Sequence, residues 1–143
     1  MTRLQIIALI TLCWLWYGVA AQADEPTMPR PDPRRLSWVL PIHSARLSPG
    51  PVTPRVLDIP GMTPLFLVGQ DPLSLQWLAE HAQALQALGA SGLAVEAADS
   101  GALQRIQATA PEIPIWPVSG DDIAARLQLE HYPVLITPTA LEQ

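Results

Sequence analysis

The chain predicts an α/β fold, and three observations carry that prediction. Leu65–Val68 is a short unbroken apolar run closed by Pro64 and Gly69, the pattern of a strand covered on both faces. A helical stretch follows, with Leu75, Leu78, Ala82 and Leu85 recurring at spacings of three and four. Leu93-Ala94-Val95 then supplies a second short apolar run. Strand, helix and strand at this spacing favour a parallel pair joined by a crossover.

The elements follow in order. Asp71 is placed to cap the first helix, Pro72 suits its first turn, and Gly89 stops it. Gln76, Glu80, Gln83 and Gln86 fall on its polar side, and Trp77 lies off the apolar stripe, at the edge of the core. Asp99–Ala110 reads as a shorter helix, with Leu103 and Ile106 inward and Pro111 beyond its end. Ile113–Val118 is apolar but interrupted by Pro114 and Pro117, which places it at a sheet edge or in an extended loop. Ser119 and Asp122 have capping-box spacing for a helix through Leu127, and Asp121 and Asp122 suit its positive end. The last apolar run, Val134-Leu135-Ile136, is entered through Tyr132-Pro133 and left through Pro138.

The first 63 residues are of another kind. Arg3 precedes an apolar run from Leu4 to Ala21, and Ala21 and Ala23 flank Gln22 ahead of Asp24 and Glu25. This is the layout of a secretory signal peptide; cleavage after Ala23 gives a periplasmic product with no stable membrane insertion, and the alternative is an uncleaved anchor, since the run is close to the roughly 20 residues that span a bilayer. The expected organisation is a signal peptide at 1–23, a proline-rich arm at 24–63 and a folded domain at 64–143. Between Asp24 and Pro64 lie 10 of the 16 prolines, so the arm is extended rather than helical. It reads as a tether, in which Leu36–Leu40 and Arg55–Ile59 are apolar enough to dock on the domain, for instance as an edge strand.

Charge and residue types exclude several functions. The chain has a net charge of -5 and no lysine, so it lacks the basic footprint that binds a phosphate backbone, and nucleic acid is not expected as a partner. His43, His81 and His131 are far apart and have no ligand-spaced neighbours, so no metal is expected. Asp121 and Asp122 are adjacent, about 100° apart on a helix, and cannot form a facing acid/base pair. No phosphate-binding glycine pattern occurs, and no cofactor is expected. Trp116, framed by Ile115 and Pro117, is the aromatic best placed to meet a partner.

The order of elements, ending in His131-Tyr132-Pro133-Val134-Leu135-Ile136, resembles the central and C-terminal part of thioredoxin-like domains. The resemblance implies a cis proline at Pro133 facing the turn at Asp71. More narrowly, Leu47-Ser48-Pro49-Gly50-Pro51-Val52, the string LFLVGQDPLSLQWL from Leu65 to Leu78, and Ile115–Thr137 resemble exported proteins of bacterial integrating conjugative elements. These are similar to the TrbC and TraW pilus-assembly proteins. The implied role is a non-catalytic periplasmic component of a conjugative type IV secretion apparatus, acting on other proteins of that apparatus. The implied contact surface comprises Asp71, Pro72, Ser74, Trp116, Tyr132 and Pro133. The alternative is a peptide-binding chaperone or a non-thiol enzyme using the groove near Pro133, with Ser74 and His131 as the only nucleophile and base to consider.

Asp71-Pro72-Leu73-Ser74 stands where an active thioredoxin carries C-x-x-C, and the single cysteine, Cys13, lies in the apolar leader. Disulfide exchange needs a thiolate. Protein recovered from the periplasm should begin at Asp24 by mass spectrometry and match the buffer blank in an insulin-reduction assay. Retention of Met1, or turnover above the blank, would refute the leader or the thiol argument respectively.

Overall fold

In the computed structural model, which describes residues 29–143, the first apolar run becomes the central strand of a mixed sheet. The leader, with Cys13, Ala21 and Ala23, lies outside the described residues. The unit described below is Pro31–Gln143. Its strands are β1 (Ser48–Pro49), β2 (Arg55–Val56), β3 (Leu65–Gly69), β4 (Ser91–Glu96), β5 (Ile115–Pro117), β6 (His131–Tyr132), β7 (Val134–Ile136) and β8 (Ala140–Glu142). Three helices accompany them: α1 (Pro72–Ala87), α2 (Ser100–Thr109) and α3 (Asp121–Leu127). Two short 3-10 turns, Pro33–Arg35 and Ser37–Val39, precede the strands. None of these helices is long and apolar enough to cross a membrane.

The main sheet runs β2-β8-β7-β3-β4-β5. β3, β4 and β5 are mutually parallel neighbours, whereas β7 is antiparallel to β3 and β8 to β7. The class is α/β, as expected. Alternate residues of β3 feed two cores. Phe66 and Val68 pack with Leu78, Leu85, Leu103 and Ile106 from α1 and α2. Leu67 packs on the opposite face with Val95, Ala124, Val134 and Ile136. Both faces are therefore covered, which is why the run is uninterrupted; each such side chain contributes about 1.5–3 kcal/mol by leaving water.

The helix signals translate directly at two of three starts. Asp71 Oδ2 accepts from Ser74 N at 2.9 Å, and Asp99 Oδ1 accepts from Ala102 N at 2.8 Å. Gly89, at φ +67°, adopts the left-handed turn that ends α1, with Ala90 N donating to Leu85 O. The third start differs from its capping-box expectation. Gly120 is the N-cap, Ser119 Oγ reaches only the Asp121 N–H at 3.4 Å, and Asp121 turns away to serve another segment. Trp77 also departs from its expected place. The buried stripe of α1 runs through Ser74, Trp77, Leu78 and Leu85, so Trp77 enters the core at 6% exposure. Its ring lies 6.1 Å from Phe66 and stacks on His81 at 4.8 Å.

β5 lies at the sheet edge, as its prolines required. Gly92 N donates to Pro114 O and Val118 N to Ala94 O, so even-numbered residues face β4. Pro117 therefore removes a donor from the outer side.

From Pro31 onward the proline-rich segment is part of the same compact unit rather than a free spacer. Arg55–Val56 forms the expected edge strand, antiparallel to β8, and Leu57 and Ile59 continue the contact through their N–H groups. Ile42 bridges Ala97, and Ser48–Pro49 pairs in parallel with His131–Tyr132. Leu47 and Ser44 are buried, at 7% and 0% exposure. The Ser44 hydroxyl donates to Val95 O at 2.6 Å and accepts from Gly120 N at 2.9 Å, tying the segment to β4 and to the start of α3. Asp121 completes the attachment by accepting from Ala45 N and Arg46 N at 3.3 and 2.9 Å. The Arg46 N–H is the main cause holding the Asp121 carboxyl below its ordinary 3.8, so this contribution to stability is lost as pH falls through that depressed value.

Replacing Ser44 with Ala strands a buried N–H and a buried carbonyl, and is expected to cost about 1–3 kcal/mol in urea unfolding. A Ser44→Ala protein as stable as its parent would show that the segment is not held by this hydroxyl.

Candidate functional site

The site forms where β3 and β4 end. β3 shifts register after Val68, passes through Gln70, and turns into α1 at Asp71. The turn is locked from within, because Ser74 Oγ accepts from Gly69 N at 3.0 Å while Ser74 N donates to Asp71. Gly69 is needed for a close approach: a Cβ there would lie 2.6 Å from the Tyr132 ring. Tyr132 is 3% exposed, and its bond to Pro133 is cis, as the resemblance implied.

The arm encloses this region from the other side. Ser48 N donates to Glu130 O at 3.0 Å and Gly50 N to Tyr132 O at 3.1 Å. Gln143 Nε2 donates to Gly50 O and Pro133 O, at 2.8 and 3.1 Å. At the end of β4, Glu96 accepts from Ser44 N and lies 2.8 Å from His43 Nδ1. Together these elements border an open cleft of about 310 Å³, lined among others by His43, Pro49, Gln70, Asp71, Glu96 and Tyr132.

The cleft is acidic. Asp71 Oδ1 is covered and without a hydrogen-bond partner, and Glu96 stands across the cleft with only His43 beside it as a basic group. Burial, helped by the negative charges of Asp71 and Glu96, pushes the Tyr132 phenol up to about 12.

The residues expected to form one contact surface separate. Asp71 and Tyr132 meet at the cleft, and Pro72 is exposed beside them. Ser74, at 0% exposure, and the buried Pro133 support the site from beneath and offer no surface. Trp116 sits on β5, two strands away, paired with Leu93 and half-buried. His131 does not reach Ser74; its Nδ1 lies 3.1 Å from Ser48 Oγ and 3.2 Å from Ser48 O. His43 lies at the cleft beside Glu96, His81 is elsewhere, bonded to Trp77 O, and among the described residues no group of three metal-ligating side chains forms. Gln70 and Glu96 were not singled out from the sequence, and His43 was weighed only as a metal ligand. The available signal was position: Gln70 and Glu96 lie where parallel strands end, the usual place for ligands in α/β sheets.

Because Tyr132 is held neutral, its contribution to stability is complete below the ordinary phenol value of 10 and falls as pH rises from there to about 12. In protein beginning at Asp24, whose one tyrosine is Tyr132, phenolate absorbance should appear about two units late, and Tyr132→Phe should remove that transition. An ordinary titration of Tyr132 would refute the buried, acid-flanked setting.

A search of curated proteins and one of solved structures find no match. The family described as "Protein of unknown function (DUF2859)" matches residues 18–141, nearly the whole sequence. The chain belongs to that family, DUF2859.

Proposed function

We propose that this protein is a non-catalytic, thioredoxin-like component of a conjugative transfer apparatus, acting in the periplasm as an assembly factor or adaptor. The observation that carries the non-catalytic part is the state of the turn at Asp71. Asp71 Oδ2 is spent on the helix cap, Ser74 Oγ is buried against Gly69 N, and no thiol is present in residues 24–143. A nucleophile needs an accessible atom and a base in reach, and Ser74 has neither. The thioredoxin-like reading is supported by the neighbour order β4-β3-β7-β8, by α1 between the parallel β3 and β4, and by the cis proline leading into β7. The conjugative role rests on the sequence resemblance.

The chaperone alternative requires a free backbone edge beside Pro133. That edge is occupied by the chain's own Ser48–Pro49. Protein contact is instead assigned to the acidic cleft and the exposed residues around it, Pro72 and Leu73.

Deleting the gene from a conjugative element that carries it should reduce transfer to background in a mating assay, and the wild-type chain should restore it. Ser48→Ala, which removes the hydroxyl nearest His131, should restore it equally. Undiminished transfer after deletion would overturn the apparatus role, and failure of a folded Ser48→Ala protein would overturn the non-catalytic reading.

A further inference from the structure

We propose that the cleft between Glu96 and Asp71 is a docking site for a cationic side chain, arginine or lysine, of a partner polypeptide. The inference rests on the reading above that this cleft is a contact surface, and names the chemistry of what it contacts.

Four observations carry it. First, the cleft holds two carboxylates and no arginine or lysine of its own, in a chain whose net charge is -5. Second, Asp71 is only half satisfied: one oxygen caps α1 and the other has no partner. That oxygen is covered, so Asp71 acts through its field from beneath rather than by contact, and the field is strengthened by the low polarity of its surroundings. Third, Tyr132 is almost wholly buried yet lines the cleft, and its hydroxyl has no hydrogen-bond partner among the described residues. A phenol oxygen is an acceptor for an N–H group. Fourth, Glu96 is held in place by Ser44 N and faced by His43, whose side chain is 71% exposed and therefore displaceable.

A guanidinium or ammonium group entering here donates to Glu96 and to the Tyr132 oxygen, and offsets the charge of Asp71. No group of three metal-ligating side chains forms among the described residues, which favours an organic cation over a metal ion. An anionic or apolar side chain would meet two carboxylates and gain nothing. The open shape of the cleft suits a side chain carried on a passing segment rather than an enclosed small molecule.

The test is an amide-shift titration of the full chain with the blocked peptide Gly-Ser-Arg-Ser-Gly and with its citrulline counterpart, which keeps the shape and loses the charge. The arginine peptide should shift the amides of Gln70, Asp71, Glu96 and Tyr132 with a dissociation constant on the order of 1 mM, as expected for one side chain. The citrulline peptide should bind at least about 10-fold more weakly, the scale of a charge-assisted hydrogen bond. Tyr132→Phe, which removes no internal hydrogen bond, should weaken arginine binding by about 10-fold. His43→Ala should tighten it by about 2- to 5-fold, the scale of one hydrogen bond, by releasing Glu96. Equal binding of the two peptides, no shift at these amides, or an indifferent Tyr132→Phe would overturn the proposal. Mating assays separate it from the reading it rests on. If a folded Leu73→Glu protein, altered on the rim, loses transfer while the peptides do not discriminate, the contact surface stands and the cation does not. If transfer is indifferent to both Leu73→Glu and Tyr132→Phe, the contact surface itself is wrong.

Discussion

Much of the structure depends on one buried hydroxyl. Ser44 sits at zero exposure between the last turn of β4 and the first residues of α3, donating to one and accepting from the other. A serine buried without partners would be unfavourable; here it replaces missing secondary structure with two side-chain bonds. A segment with so many prolines has few N–H groups for a ladder, so it is fastened by side chains instead. Glu96 and Asp121 extend the same principle by accepting the N–H groups of Ser44, Ala45 and Arg46. The result closes the second core over Leu47 and brings His43 to the cleft.

The legible parts of the fold were those set by local rules. β3, α1, α2 and β5 were readable because an apolar run, an Asp N-cap, a stop at Gly89 and edge prolines act within a few residues. The misplaced parts were set by distant partners. Trp77 enters the core because Phe66, His81 and Ser74 define the stripe, not the leucines alone. The Ser119 and Asp122 pattern does not become a capping box because Gly120, whose N–H is taken by Ser44 from 76 residues upstream, is the N-cap in place of Ser119. β8 escaped notice because it is three residues long and follows a proline-containing turn, in which Thr137 bonds Ala140. The cleft was half legible: Asp71 and Tyr132 carried the resemblance, but Glu96 reaches it through the pairing of β4 with β3 and His43 through the folding of the arm.

The turn at Asp71 gives its polar atoms structural work. A carboxylate at the N-cap and a serine hydroxyl facing back to Gly69 fasten strand to helix, each through a bond of ordinary length. Neither atom is left to meet a substrate.

The prolines at the sheet margin have a bearing on crowding. Pro117 deletes an outward donor of β5, and at the opposite margin the residues turned away from β8 include Pro54 and Pro60, bracketing Val56 and Asp58. Neither margin presents a continuous row of donors, so a second molecule finds no template on which to add a strand. Strand addition between copies is disfavoured at both margins. Any ordered array they form must be written in side chains rather than in backbone.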